Sequence, residues 1–256
     1  MKSLVIVGGA GRMGQALAEG LGALDQFSLL ALVDEHEPRE LFGASYASSL
    51  GDLDPQKVDV VINFSSPEGV VSSAKWCGEN GVALVIGTTG LSKEQRRVVE
   101  EAATRTGVVM AANFSIGAVL SERFAGMAAP YFERVEIVEL HHDRKVDAPS
   151  GTSIATALTI ANARKSSGLA PLSDPTTRHT FEGSRGADVA DGVKVHSVRL
   201  PGLVAHQEIL FGSAGEGLTI RHDSFDRQSF VHGVALAAIA IDATPQLLDG
   251  IASLIP

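Results

Sequence analysis

Between Glu139 and Thr152 the chain reads E-L-H-H-D-R-K-V-D-A-P-S-G-T, which gathers two adjacent histidines, a lysine, an aspartate and a Ser-Gly-Thr step into one short stretch. An imidazole exchanges its proton near neutral pH and can serve as a general acid, while a lysine offers a compact positive charge or a second proton. Pro149 ends the extended segment, and Ser150, Gly151 and Thr152 then open a helix whose first backbone N–H groups and hydroxyls form a cradle for a carboxylate. Lys145 and one of the two histidines lie within a few residues of that cradle and can balance a second negative charge. The combination suits a small dicarboxylate that has to be protonated. His141 and His142 point to opposite faces of a strand, so they are poor joint ligands for one ion and no metal site is expected.

A second group lies near the start of the chain. Gly8, Gly11 and Gly14 follow a short apolar run with G-x-x-G-x-x-G spacing, and Gly9, Ala10, Arg12 and Met13 fill the turn between them. Glycines at a strand-to-helix turn let the backbone approach a pyrophosphate, and the helix start offers it unpaired N–H donors. Asp34 ends the next apolar run, 20 residues beyond Gly14, at the spacing of a carboxylate that accepts from an adenosine ribose. Glu35 and His36 follow it, with no arginine to pair with a 2′-phosphate. The expected cofactor is therefore NADH, with His36 or Arg12 allowing some use of NADPH. Two further pattern matches carry no chemistry. Ser72-x-x-Lys75 lacks the partner motifs of a penicillin-binding site, and the acceptor-like Asn113-Phe114-Ser115 has no meaning for glycosylation in a cytoplasmic chain.

The elements that must position these groups are legible as periodicities. Apolar strand runs at 4–7, 29–33, 58–64, 83–86 and 108–112 alternate with helical patterns at 15–24, 69–80 and 92–106, the signature of a doubly wound parallel sheet. Beyond Asn113 the rhythm changes to a helix at 117–129, a strand at 135–141 and a helix at 152–164. The polar, glycine-rich stretch 165–192 reads as a long surface loop or lid. Strand runs at 194–200, 206–212 and 217–223 are spaced as an antiparallel meander, and a last helix starts near Asp226 and continues through Ile241. An α/β half is thus followed by an α+β half, with hinges expected at 112–115 and 222–226.

Composition narrows the function further. The 256 residues carry 21 basic and 30 acidic side chains, a net charge of −9, which disfavours a nucleic-acid partner. Apolar residues make up 45% and charged ones 20%, as in an ordinary globular chain. No run approaches the roughly 18 apolar residues of a membrane span, and the glycine turn interrupts the N-terminal apolar run before a signal-peptide core is complete. A cytoplasmic protein with no membrane partner is expected. Cys77 is the sole cysteine, which excludes an intrachain disulfide framework and a multi-thiolate metal site; it reads as a packed thiol.

The histidine–lysine string resembles the signature of the bacterial dihydrodipicolinate reductases, also called 4-hydroxy-tetrahydrodipicolinate reductases, of lysine and diaminopimelate biosynthesis. The resemblance extends over nearly the whole chain, through the G-x-x-G-R-M-G turn at Gly8 to Gly14, Asn63-Phe64-Ser65, Gly87-Thr88-Thr89-Gly90 and Ala112-Asn113-Phe114-Ser115-Ile116-Gly117. It implies a Rossmann-like doubly wound parallel sheet plus an α+β mixed-sheet domain for substrate binding and assembly of a homotetramer. The dinucleotide-binding domain is expected at 1–112 and 223–256, and the substrate-binding and tetramerisation domain at 113–222. The resemblance implies NAD(P)H-dependent hydride delivery to C4 of the cyclic dicarboxylate, with His141 as proton donor and Lys145 as second donor. It assigns substrate contacts to His142, Gly151 and Thr152, with Ser150 adjoining. Cofactor contacts fall to Gly8, Gly9, Ala10, Gly11, Arg12, Met13, Asp34, Gly87, Thr88, Thr89, Ala112, Asn113, Phe114 and Ser115. The chain departs from many members at Gly117-Ala118-Val119, where it resembles the actinobacterial branch, and at Glu35, where some members carry an arginine. The alternatives are a dehydrogenase of the same architecture acting on aspartate or homoserine, and a nucleotide-sensing regulator without turnover. The latter gives no reason for proton donors and a carboxylate cradle to coincide.

Overall fold

The computed structural model describes residues 1–256. In chain order its regular elements are β1 (Lys2–Val7), α1 (Arg12–Gly22), β2 (Phe27–Val33), β3 (Ser45–Ala47), β4 (Val60–Asn63), α2 (Pro67–Asn80), β5 (Ala83–Ile86), α3 (Lys93–Ala102) and β6 (Gly107–Met110). Then follow α4 (Ile116–Ala128), β7 (Arg134–His141), α5 (Gly151–Ser166), β8 (Ala187–Ala190), β9 (Val193–Arg199), β10 (Ala205–Ser213), β11 (Glu216–Ser224), α6 (Val231–Ala240) and β12 (Gln246–Asp249). The chain divides into two compact units, Met1–Ile116 with Arg227–Pro256, and Gly117–Asp226. No helix is long and apolar enough to cross a membrane.

The first unit is built on a seven-stranded sheet in the order β12-β6-β5-β4-β1-β2-β3, parallel throughout. Every residue of β4, β5 and β6 is buried, as expected of strands covered on both faces. The helices start and stop on local signals. Ser66 accepts from the Gly69 N–H and Pro67 takes the first position of α2, which Gly81 ends in the left-handed region at φ 65°; Ser92 and Gln95 form a capping box on α3. Cys77, on α2, packs fully buried among Val70, Ala74, Leu84 and Val99, and burial pushes its thiol far above the ordinary value.

The second unit has a mixed five-stranded sheet, β11-β10-β7-β9-β8, in which only the β7–β9 pair is parallel. Its core joins Ile160 of α5 to Val135, Ile137, Val195, Ile209 and Phe211 on one sheet face.

The expected antiparallel meander is corrected here. β10 and β11 form a hairpin, but β9 runs parallel to β7, which lies between β9 and β10. Register explains the insertion, because Ile137 of β7 stands opposite both Ile209 of β10 and Val195 of β9, and that row of β-branched side chains is fully enclosed. The stretch 165–192 is also not simply a loop. α5 continues to Ser166, β8 pairs with β9, and Asp174 meets Arg185 and Lys194 at 3.5 and 3.6 Å. The junctions of the units follow Ile116 and Asp226, four residues beyond the expected ones. Phe114 is fully buried in the first unit, its ring 5.6 Å from that of Phe64, and β11 reaches Ser224. The edge strands β3 and β12 were not expected.

Candidate active site

Because the first sheet is parallel, the segments following β1, β2, β4, β5 and β6 all emerge at its carboxyl edge, where open α/β sheets take their ligands. After β1, Gly8 has φ +87°, and a Cβ there would come within 2.4 Å of the Phe64 carbonyl oxygen. A Cβ on Gly14 would meet the Gly8 oxygen at 2.1 Å. Both positions are closed to any other residue without moving backbone. α1 begins after Gly11 with no side-chain cap, which leaves its first N–H groups to an external acceptor. Arg12 and Met13 open that helix, Arg12 exposed. Asp34, at the end of β2, accepts from the Ala10 N–H at 3.0 Å and the His36 N–H at 3.3 Å, so the carboxylate is held against the turn.

Phe64 organises the neighbouring loops. A Cβ on Gly87 would come within 2.0 Å of the Phe64 ring. Asn63 is buried, and its Oδ1 accepts from Ser65 N–H, Ser65 Oγ and Thr88 Oγ at 3.1, 2.9 and 3.0 Å. The Thr88 hydroxyl is therefore part of the scaffold, while Thr89 is exposed. Asn113 Oδ1 accepts from Ser115 N–H at 2.9 Å, next to exposed Ala112 and buried Phe114. A cleft of about 690 Å³ runs from Gly8 and Gly11 past Asp34 and Glu35 to Ser65 and Glu68, with no lysine or arginine in its lining. A cradle that a Cβ would fill, an uncapped helix start and a carboxylate at the end of β2 are the features a pyridine dinucleotide requires.

The expected proton donors and carboxylate cradle lie in the second unit, separate along the chain from the residues expected to hold the cofactor. His141 ends β7, its side chain 15% exposed, and Nδ1 lies 2.5 Å from Oε2 of Glu139. Nε2 has no protein partner. Burial, with help from the charges of Lys145 and Arg199, holds the imidazole below its usual pKa despite the opposing pull of Glu139. A one-turn reversal follows, closed by the Lys145 N–H on the His142 carbonyl at 3.1 Å. Lys145 Nζ donates to both oxygens of Asp147 at 2.8 and 2.7 Å. Nδ1 of His142 is buried without a hydrogen-bond partner.

Ser150 caps α5 by accepting from the Ser153 N–H at 3.2 Å and is itself buried. Behind it runs a chain of side chains: Ser150 Oγ to Ser153 Oγ at 2.9 Å, Ser153 Oγ to Gln207 Oε1 at 2.7 Å, and Gln207 Nε2 to Thr156 Oγ1 at 3.1 Å. The Ser150 hydroxyl is thus engaged by the fold. Gly151 is exposed and a Cβ there would meet nothing within 4 Å, so the opening of α5 at Gly151 and Thr152 has room for an anionic group. Three residues without a role in the sequence reading belong to this cluster: Glu139, Arg199 and Gln207. Glu139 lies within the histidine string, but its partner Arg199 is 60 residues away, and only the parallel β7–β9 register brings the two together.

The chain matches the family models for the N-terminus of dihydrodipicolinate reductase over residues 2–114 and for its C-terminus over residues 117–254. A 4-hydroxy-tetrahydrodipicolinate reductase of Mycolicibacterium gilvum is 47% identical over 253 residues, covering 98% of this chain and 97% of that one. One of Nocardia farcinica is 46% identical over 249 residues, 96% of this chain and 95% of that one. Among solved structures, a dipicolinate-bound dihydrodipicolinate reductase of Paenisporosarcina sp. TG-14 superposes with a TM-score of 0.87 at 38% identity, covering 100% of both chains. With both halves matched in order and nearly full-length relatives close to half identical, the chain belongs to the dihydrodipicolinate reductase family of oxidoreductases.

Proposed function

We propose that this chain reduces 4-hydroxy-tetrahydrodipicolinate, or its dehydrated ring, to tetrahydrodipicolinate in lysine and diaminopimelate biosynthesis, using NADH in preference to NADPH. The observation that carries the reading is the cluster at the end of β7 and the start of α5. It combines an imidazole with one nitrogen held and the other without a partner, an ammonium, and an open helix start. A reduced pyridine nucleotide, when bound, supplies hydride to C4 of the ring. The cofactor residues are then Gly8, Gly9, Ala10, Gly11, Arg12, Met13, Asp34, Gly87, Thr88, Thr89, Ala112, Asn113 and Ser115, while Phe114, fully buried against Phe64, supports their loops from behind.

The chain's own residues do the rest. The N–H groups at Gly151 and Thr152 bind one carboxylate of the substrate, oriented by the capped Ser150 behind them. His142 and Lys145 balance the second carboxylate, for which Lys145 exchanges its contact with Asp147. Once the 4-hydroxyl has left as water and hydride has been added at C4, the electron density left on the ring takes a proton from Nε2 of the protonated His141, with Lys145 as the second donor. The acidic cleft lining, Asp34 and Glu35 with no cationic partner, supports NADH, since a 2′-phosphate there would face like charge. The reading includes a homotetramer assembled through the second unit, which a sedimentation experiment tests directly.

The decisive experiment generates the substrate in place from pyruvate and aspartate semialdehyde with a synthase and follows NADH and NADPH absorbance separately. Oxidation that depends on the synthase, faster with NADH, is the expected result. A folded protein that binds NADH but oxidises neither cofactor overturns the reading.

A further inference from the structure

Glu139 has no exposed surface, yet its carboxylate accepts from an imidazole and a guanidinium, with Ser197 as a further donor. Oε2 lies 2.5 Å from Nδ1 of His141 and 2.8 Å from Nη1 of Arg199, and Oε1 lies 2.7 Å from Nη2 of Arg199. Arg199 also donates from Nη2 to the carbonyl of Asp147 at 2.8 Å. One guanidinium therefore fastens the end of β7 to the turn that carries Lys145. A buried carboxylate with a single histidine partner would be expensive to ionise, whereas a bidentate arginine makes the charge tenable. Burial alone would push the Glu139 carboxyl up, but hydrogen bonds from Arg199, Ser197 and His141 hold it below its ordinary value. It is anionic across the neutral range.

We propose that Glu139 and Arg199 are a positioning pair for the reduction: Glu139 fixes His141 with hydrogen on Nδ1 and presents Nε2 to the substrate, while Arg199 keeps Glu139 ionised and anchors the turn bearing Lys145. The proposal rests on the reading of His141 as proton donor. An imidazole free to rotate about χ2 presents either nitrogen, and a neutral ring free to exchange tautomers carries its hydrogen on either; a fixed acceptor at Nδ1 removes both ambiguities. The charged groups acting on His141 are Glu139 on its own strand, Arg199 on β9 and Lys145 in the turn; β10 presents neutral Ala205 opposite it. Two cations and burial make the imidazolium a readier acid, and Glu139 is the group that opposes them. The balance leaves a histidine that releases its proton easily but still binds one.

The test is the Glu139→Gln variant of the full chain, which keeps an acceptor for Nδ1–H and removes the charge, assayed with NADH and synthase-generated substrate. In a general-acid mechanism kcat falls as pH rises through the donor's pKa. Loss of Glu139 is expected to move that limb down by about one pH unit or more and to lower kcat roughly 10- to 100-fold at pH 8, with the KM for NADH unchanged. In ¹⁵N spectra the neutral His141 ring of the native protein should carry hydrogen on Nδ1, and Glu139→Gln should give a tautomer mixture. Since Glu139→Gln leaves a buried guanidinium unpaired, Glu139→Gln combined with Arg199→Met provides a second variant without the orphaned charge, and it should show the same mixture. A folded variant that keeps both the native limb and the Nδ1–H signal overturns the positioning pair. The His141→Gln variant separates the two layers: a limb that survives there overturns the proton-donor reading itself, whereas a limb lost there but unmoved in Glu139→Gln overturns the pair alone.

Discussion

Lys145 donates to both carboxylate oxygens of Asp147, although the Asp147 side chain is 57% exposed. Hydrogen bonding from Lys145 is the main reason the Asp147 carboxyl lies below its usual range. A contact this open is screened by water and easily exchanged, which suits the proposed exchange of Asp147 for a substrate carboxylate at Lys145. Asp147→Asn should therefore lower the KM for substrate by a few-fold in initial-rate assays, while Lys145→Ala should cut kcat by at least about 100-fold and leave NADH binding, measured by fluorescence titration, intact. Asp34 is a residue of another kind, since its carboxylate already accepts from Ala10 N–H and has remaining lone pairs for a ribose. Asp34→Ala should raise the KM for NADH about tenfold and that for NADPH much less, so the ratio of the two KM values reports the ribose contact separately from damage to the turn.

Two helix starts divide the work at the scale of elements. α1 begins at a glycine without a cap, and α5 begins at a serine whose hydroxyl is committed to Ser153 and, through it, to Gln207 on β10. Gln207→Leu leaves the hydroxyl of Ser153 without an acceptor and removes a donor to Thr156, both fully buried. A cost of about 1–3 kcal/mol is expected from such unpaired groups, seen as a fall in Tm together with a higher KM for substrate and an unaltered KM for NADH. The glycine turn was legible in the sequence because no other residue type satisfies Gly8 and Gly14, and the helices were legible from their apolar periodicity, with Ser150 marking the start of α5. β3 and β12 were not, since three- or four-residue edge strands have too few alternations to register. The pairing of β9 escaped for a different reason: neighbours in sequence are usually neighbours in a sheet, and here Ile137 wins the place between β9 and β10. The same non-local register hid Arg199, whereas His141 and Lys145 stood in one readable string.

For the molecule as a whole, two cores imply that unfolding need not be a single transition. NADH should raise the melting temperature of the first unit and a dipicolinate-like dianion that of the second, which calorimetry with each ligand alone resolves. Acid should act on the second unit in two windows. Burial depresses His141 and His222, so the stability that their neutral forms contribute is present above about pH 6.5 and is lost as pH falls through their lowered values. Below about pH 4 the carboxylates follow. Asp174 is held at about 2 chiefly by the Thr176 N–H, so its contribution is present above its unfolded value and disappears on the way down to pH 2. Melting temperature recorded from pH 8 to pH 2 should fall in these two steps, and a flat profile between pH 7 and pH 5 would contradict the histidine assignment. Cys77 adds a consequence of its own. As the chain's sole thiol, enclosed by the core of the first unit and resistant to ionisation there, it reacts with an alkylating reagent only in molecules that have transiently opened around α2. Its labelling rate is thus an intrinsic clock for that opening, and the slowing of the clock by NADH would give the binding free energy without any measurement of turnover.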